Sequence, residues 1–228
     1  MHIHTTVSDG RASPYEVVLT AIEKELGIIA ITDHNSFRGG ILAQEYAKKY
    51  QHEIIVIIGN EVRTVHGDVL VYCSSPKNIP NIPSSLQELI DKAHENNCLV
   101  VPAHPFDSLR LGIGDLVYEL KGWDAIEVFN ASANRGANKK AEEAARILGL
   151  PGLASSDAHI PEYIGTAYTI IEIDDYSPEG VLEAIRKNKV TPVKRYPPFK
   201  YFVKRVLWTI ERKTVRALLY GHHDYSEA

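Results

Sequence analysis

The amino-acid sequence predicts an α/β fold built around a parallel sheet. Short apolar segments alternate with segments of helical periodicity along the 228 residues, a pattern typical of βα units. Several apolar segments are rich in valine and isoleucine on both faces, as expected of strands buried between two layers. Hydrophobic residues make up 44% of the chain and charged residues 24%, as in ordinary globular proteins. We therefore expect one large domain or at most two small ones.

The apolar segments give the candidate strands in chain order. Each is short and rich in residues that favour extended structure. The second and third segments are close enough in sequence to form a hairpin. The predicted strands are residues 28–32, 54–58, 69–72, 98–102, 125–129, 152–155 and 168–173.

Helix signals fall between these strands. Ser13 is a predicted N-cap, with Pro14 at the first helical position and Glu16 completing a capping box, and Gly27 ends the helix. Ser177 begins another helix in the same way. Further helices are predicted over residues 40–49, 85–96, 115–121 and 139–148.

Composition excludes several protein classes. No apolar run approaches the roughly 18 residues of a membrane span, and no signal-peptide pattern follows Met1. The two cysteines, Cys73 and Cys98, lie in strand-like segments and are too few for a disulfide framework. A reducing cytoplasm is therefore the expected location.

Charge is distributed unevenly and suggests a domain boundary. Residues 194–220 hold eight basic residues and one acidic residue, although the net charge of the chain is −4. We predict a main domain over residues 1–194 and a basic, amphipathic helical extension over residues 195–228. Because the main domain is acidic, it does not favour general nucleic-acid binding, and nucleic acid stays an alternative partner rather than the expected one. Oligomeric state is left open.

Residues that can bind metal follow the predicted strands. In a parallel α/β sheet or barrel, the C-terminal ends of the strands share one face, and ligands bind there. A spacing of two residues, as in His-x-His, sends both side chains of an extended segment to the same side. The residues concerned are His2, His4, Asp9, Asp33, His34, Glu61, His104, Asp157 and His159.

The donor types predict transition metals. Imidazole and carboxylate together suit zinc, manganese or iron, and five histidines exceed the needs of one tetrahedral ion. We expect two or three divalent ions with one bridging carboxylate. Each motif alone has an ordinary structural explanation, such as a helix cap at Asp157 or a turn at His104. These explanations do not account for the presence of such motifs after several successive strands.

The ordered motifs resemble those of the polymerase and histidinol phosphatase (PHP) family. The resemblance implies a distorted (βα)7 TIM-like barrel, with the metal centre at the C-terminal face of the strands. It also implies metal-dependent phosphoesterase chemistry. The matching motifs are His2-Ile3-His4-Thr5, Ser8-Asp9-Gly10, Thr32-Asp33-His34-Asn35, Gly59-Asn60-Glu61, His104-Pro105 and Ser156-Asp157-Ala158-His159.

The same resemblance implies a set of metal ligands. Glu61 would bridge the first ion to a second ion that His104 also binds. Many relatives place another histidine after Glu61, and here either Asp68 or His66 would complete the second site. The first ion would be held by His2, His4, Glu61 and Asp157, and the third by Asp9, His34 and His159.

The predicted activity is hydrolysis of a small phosphomonoester or phosphodiester through a metal-bound hydroxide. Glu61, Asp157 and His159 are the expected catalytic residues, and Arg135 and Arg38 are candidates for binding the phosphate. Two alternatives remain open. One is a nuclease of the same family acting on short oligonucleotides, and the other is a non-catalytic PHP-like scaffold subunit of an RNA–protein complex.

Overall fold

Helices and strands alternate along the chain, which confirms the predicted α/β class. The computed structural model describes residues 1–77 and 85–220, so residues 221–228 of the predicted extension lie outside it. The strands are β1 Ile28–Ile31, β2 Ile55–Thr64, β3 Gly67–Cys73, β4 Leu99–Pro102, β5 Ile126–Asn130, β6 Gly152–Ser155, β7 Tyr168–Ile171 and β8 Val190–Val193. The helices are α1 Pro14–Glu23, α2 Arg38–Ala47, α3 Leu86–Glu95, α4 Leu116–Glu119, α5 Arg135–Leu148, α6 Pro178–Arg186 and α7 Phe199–Tyr220.

The helix starts follow from local capping chemistry. Ser13 and Glu16 form the predicted reciprocal capping box at α1, and the Ser177 side chain accepts a hydrogen bond from the Gly180 N–H at α6. The helix predicted from residue 139 begins four residues earlier, because the Asn134 side chain caps it by accepting from the Ala137 N–H. Arg135 is therefore the first residue of α5.

The strands form three sheets in the described part of the chain and are not closed into one barrel. The first sheet has the order β1-β2-β3-β4, β5 pairs with β6, and β7 pairs with β8. The predicted hairpin of β2 and β3 is antiparallel, as is the β7–β8 pair, for which the sequence analysis missed β8. The two residues between β2 and β3 are too few for a helical crossover, so β3 must run antiparallel.

The first residues of the chain lie between two strand ends. The Thr32 N–H donates to the Ile3 carbonyl at 2.8 Å, and the His4 N–H donates to the Ala158 carbonyl at 2.9 Å. Ile3 also forms an isolated parallel bridge with Ala158. This short extended segment therefore connects the end of β1 with the end of β6 and fixes both histidines that flank Ile3.

The first sheet is buried on both faces. Val69 and Val71 of β3 pack with α3 and α5 in one core cluster, and Leu70 and Tyr72 pack with α6 in another. This alternation of side chains is the period of two expected for a strand. At the end of β3, Cys73 forms a disulfide with Cys98, a bond that the sequence analysis did not predict.

The chain divides into two compact units. The first comprises Met1–Tyr196, and the second, Pro197–Ala228, contains α7. The helix exposes several apolar side chains, among them Phe199, Phe202 and Leu207. Of the helices that the structure describes, none is both long enough and apolar enough to cross a membrane.

Candidate metal centre

The residues predicted as metal ligands come together at one end of the strands. His2 and His4 lie on the extended N-terminal segment, His34 follows β1, and His104 follows β4. Asp157 and His159 follow β6, whereas Glu61 lies inside β2, because that strand runs to Thr64 rather than ending near residue 58. His2, His4, Glu61, His104 and Asp157 are all at most 5% exposed.

Glu61 lies at the middle of this cluster. Its Oε2 is 3.2 Å from His2 Nε2 and 3.1 Å from His4 Nε2. Its Oε1 is 3.0 Å from His104 Nε2, so the two carboxylate oxygens face different histidines. Oε2 is also 3.2 Å from His34 Nδ1. A carboxylate with this arrangement can bridge two ions.

The distances among the first group of ligand atoms fit a bound ion. His2 Nε2 and His4 Nε2 are 3.1 Å apart, and Asp157 Oδ1 is 3.8 Å and 3.5 Å from them. Ligand atoms about 2.0–2.1 Å from a zinc ion at the corners of a tetrahedron lie about 3.3 Å apart. The group therefore has the spacing that a tetrahedral ion requires.

A second group surrounds Asp9. Its Oδ1 is 3.2 Å from His159 Nε2, 3.6 Å from His4 Nδ1 and 3.9 Å from His34 Nε2. A Cβ atom at Gly10 would lie 2.2 Å from the His4 carbonyl oxygen, so only glycine allows the chain to pass so close beside the ligands. The group has the donors for a further ion.

Buried nitrogen atoms support the same conclusion. In the described residues, Nδ1 of His4 and Nδ1 of His104 are buried and have no hydrogen-bond partner. A buried polar atom is normally hydrogen-bonded, so atoms left without a partner call for an explanation. For His4, whose Nδ1 lies 3.6 Å from Asp9 Oδ1, an ion held by the group around Asp9 is one such explanation.

The histidines and carboxylates of the cluster shift one another's pKa values when no metal is bound. Burial would lower the pKa of His4, but hydrogen bonds to Asp157 and Glu61 outweigh it and raise the pKa to about 10. Burial lowers the pKa of His34 to about 4. Burial opposes ionisation of Glu61 and Asp157, yet neighbouring histidines, and Arg110 beside Asp157, hold both pKa values well below their usual range. The carboxylates are thus ionised at neutral pH.

Glu127 supports the cluster and was not predicted. Its Oε1 accepts from His2 Nδ1 at 3.0 Å and from the Ser155 hydroxyl. Its Oε2 accepts from the His104 N–H at 2.6 Å and from Asn130 Nδ2 at 3.1 Å. With Nδ1 as the donor, His2 presents the lone pair of Nε2 to the cluster. A glutamate inside the apolar strand β5 was the sequence signal for this residue.

A cavity of about 150 Å³ opens beside the cluster. Two arginines line it, Arg63 and Arg110, with His34, Glu61, His104, Asp157 and His159. Arg38, predicted to bind phosphate, is exposed at the start of α2. Arg135, the other predicted residue, lies with its guanidinium 5.3 Å from the centre of the Tyr196 ring. The arginines of the cavity are therefore different from those that the sequence analysis selected.

The sequence analysis left open whether Asp68 or His66 completes the second metal site, and the structure shows where both residues lie. His66 is exposed at the turn between β2 and β3. Asp68 is 2% exposed, and one of its carboxylate oxygens lies within 4.8 Å of ligand atoms of His34 and Glu61. Both of its oxygens accept hydrogen bonds from Arg63.

Residues in the left-handed region of backbone conformation occur at the centre. His104 has a φ of 31°, Asp157 a φ of 47° and Asn35, next to His34, a φ of 51°. These residues lie two to four positions after the ends of β4, β6 and β1. Left-handed backbone at a residue other than glycine costs some strain, and here it occurs where the candidate ligands converge.

Two family models match most of this chain. A model of the PHP domain matches residues 1–109, and a model described as PHP-associated matches residues 135–190. Uncharacterized protein MJ1587 of Methanocaldococcus jannaschii is 31% identical over 144 residues, which make up 58% of this chain and 80% of that protein. The 5'-3' exoribonuclease Rnm of Escherichia coli is 37% identical over 65 residues, which are 28% of this chain and 22% of Rnm.

Solved structures share the fold. One is a two-domain protein from Bacteroides vulgatus containing a predicted PHP-like metal-dependent phosphoesterase. It has a TM-score of 0.71 and 19% identity, over 85% of this chain and 63% of that chain. PsfC from Pseudomonas syringae has a TM-score of 0.66 and 18% identity, over 94% of this chain and 97% of that chain.

Proposed function

Because the chain belongs to the PHP domain family, we propose that it hydrolyses a small phosphomonoester or phosphodiester with the help of divalent metal ions. The observation that carries the proposal is the set of histidine nitrogens arranged around the two oxygens of Glu61. We also propose that the three sheets, with the segment around Ile3, make up the distorted (βα)7 barrel expected from the family.

The donor set fits two or three zinc, manganese or iron ions. We assign His2, His4, Glu61 and Asp157 to the first ion, Glu61 and His104 to the second, and Asp9, His34 and His159 to the third. Bound ions in such a centre lower the pKa of water and neutralise charge on phosphoryl oxygens.

The side chains of the site have separate tasks in this proposal. Glu61 and Asp157 remain ionised and hold the negative charge that the ions require. Glu127 fixes the orientation of His2 and of the backbone at His104. His159 lines the cavity with 15% of its side chain exposed, and in the state with two ions, when it holds no third ion, it can give a proton to the leaving oxygen.

A nuclease acting on short oligonucleotides is the second candidate. The similarity to Rnm over 65 residues favours it. The non-catalytic scaffold has less support, because a scaffold does not need the nearly complete ligand set found here.

The test is a hydrolysis screen of protein loaded with manganese, zinc or iron. Substrates should include nucleotides, sugar phosphates, histidinol phosphate, bis(p-nitrophenyl) phosphate and a short RNA. Glu61→Gln is the test variant, and Glu142→Gln, on the exposed side of α5, is the matched control. Folded protein that retains no metal and cleaves none of these compounds would refute the proposal in favour of the scaffold.

A further inference from the structure

Two arginine side chains line the cavity beside the metal ligands, and each is fixed by an aspartate. Arg63 belongs to β2, and Arg110 ends the short 3₁₀ helix Ser108–Arg110. Their side chains are 38% and 23% exposed, so both are accessible from the cavity while partly shielded from water. A guanidinium group in such surroundings is a strong site for a phosphate or carboxylate.

Arg63 is held in place by Asp68. The two residues are cross-strand partners in the β2–β3 hairpin. Nε and Nη2 of Arg63 each donate to a different oxygen of Asp68, both at 3.0 Å. The backbone N–H of Arg63 also donates to Asn35 Oδ1 at 2.8 Å, which connects Arg63 to the loop after β1. The bidentate pair therefore fixes the plane of the guanidinium at the cavity wall.

Arg110 is fixed in a similar way from another part of the chain. Its Nη1 donates to Asp157 Oδ2 at 2.8 Å, and its Nε donates to the Ser132 carbonyl at 2.9 Å. Asp157 Oδ1 is the oxygen that faces His2 and His4, so the arginine and the histidines use different oxygens of the carboxylate. Each arginine thus uses two of its five N–H donors on the protein and keeps others for a ligand.

The cavity has a volume of about 150 Å³ and is open to solvent. A phosphoryl group can enter it while the rest of the ester extends toward solvent. Leu109, whose side chain is exposed, also lines the cavity.

We propose that Arg63 and Arg110 form a clamp that selects a terminal phosphate, the dianionic monoester, over an internal phosphodiester. The inference rests on the phosphoesterase function proposed above and narrows its substrate class. A monoester has three unsubstituted oxygens and about one more negative charge than a diester, so it can engage both guanidinium groups. A diester has two such oxygens and one negative charge, so it offers less than a monoester does for two guanidinium groups to bind.

The same inference assigns Asp68 as a positioning residue for Arg63 rather than as a metal ligand. Both oxygens of Asp68 already accept from the guanidinium of Arg63, whereas Asp157 accepts from Arg110 only through Oδ2 and keeps Oδ1 facing the histidines. Asp68 thus takes the sequence position after Glu61 at which a metal ligand was expected, and it does a different task there.

Calorimetric binding to the metal-loaded protein tests the clamp. The probes are inorganic phosphate, which has the charge of a monoester near pH 8, and dimethyl phosphate, which represents a diester. The test variant is the double substitution Arg63→Gln with Asp68→Asn, which removes both charges without leaving a buried carboxylate alone. Arg146→Gln, on the exposed side of α5, is the matched control.

We expect the double variant to bind inorganic phosphate about 10- to 100-fold more weakly, as for the loss of a charge-assisted bidentate contact. Dimethyl phosphate should change by less than about 3-fold, since a diester does not engage both groups. Metal content and melting temperature should match those of the control. Asp68→Asn alone should weaken phosphate binding and leave the metal content unchanged.

Equal phosphate affinity in the double variant and the control would overturn the clamp, and so would a loss of metal in Asp68→Asn. The two proposals fail in different ways. If no ester is cleaved but phosphate binding falls as expected, the clamp stands and the phosphoesterase does not. If esters are cleaved and phosphate binding is unchanged, the phosphoesterase stands and the clamp does not.

Discussion

Replacing Glu127 by glutamine should weaken metal binding although this residue is not assigned as a ligand. Each of its two carboxylate oxygens accepts from two donors, so four donors surround the group. The glutamine side chain has one oxygen and one NH2 group. In either orientation, the NH2 group would face two of the four donors and could not accept a hydrogen bond from them. The Nδ1 proton of His2 or the backbone N–H of His104 would then lose its acceptor, and the ligand on that side would turn.

The expected magnitude follows from these contacts. Loss of an outer partner of a ligand histidine costs about 10- to 100-fold in metal affinity. Two hydrogen bonds to a buried charged group are also lost, at about 1.5–3 kcal/mol each, so the metal-free protein should lose about 3 kcal/mol or more of unfolding free energy. Glu127 is 1% exposed, which means that solvent does not screen the effect.

The assay is a zinc or manganese titration against a competing chelator, together with thermal unfolding of the metal-free protein. Glu142→Gln makes the same chemical change at an exposed residue, whose carboxylate lies 2.9 Å from Lys194 Nζ, and should change the metal affinity by less than about twofold. A folded Glu127→Gln protein with the metal affinity of the control would refute the reasoning.

Three further predictions concern the ions and the disulfide. Glu61→Gln should lower turnover at saturating metal by at least about 100-fold, because an amide cannot carry the charge between two ions, and near-normal rates would contradict the bridging assignment. Because the pKa of His4 in the metal-free protein is raised to about 10, His4 carries a proton at neutral pH and must release it when metal binds. The pKa values of His2 and His104 are raised as well, so apparent metal affinity should rise by about tenfold or more per pH unit between about pH 7 and pH 9. Calorimetry in buffers of different ionisation enthalpy can measure this, and a flat profile would contradict the raised pKa values. Replacing Cys73 and Cys98 by serine should lower the unfolding free energy by about 3 kcal/mol, because the bond closes a loop with a sequence separation of 25. Urea denaturation measures this loss, and an unchanged unfolding free energy would mean that the bond does not form in solution.

The clustering of the candidate ligands could be predicted from the sequence because their signals are local. His2 and His4 are two residues apart on an extended segment, and Asp157 and His159 repeat that spacing after β6. Strand ends of an α/β sheet meet at one face, so placing each motif after a strand was enough to bring the motifs together. The caps at Ser13 and Ser177 were predictable for the same reason, since capping depends on residues three positions apart.

The remainder of the site depends on contacts between distant parts of the chain. Arg110 reaches Asp157 across 47 positions, and Glu127 reaches His2 across 125. No periodicity encodes such pairs. Arg38 and Arg135 were selected because a guanidinium group matches phosphate oxygens, but the two arginines that line the cavity come from β2 and from a short 3₁₀ helix. The division into three sheets also reflects tertiary pairing, which short apolar segments do not specify.

The positive φ angles of His104 and Asp157 set stability and activity against each other. Such backbone positions cost on the order of 1–3 kcal/mol each for residues other than glycine. Glycine would remove this cost at either position and would also remove a candidate ligand, and at residue 157 it would leave Arg110 and the neighbouring histidines without their carboxylate. Laboratory evolution for heat resistance alone should therefore enrich glycine at residue 104 sooner than at residue 157. A screen that couples heating to a metal-binding step would retain both side chains, and the gap between the two selections would measure what the protein gives up in stability to keep its ligands.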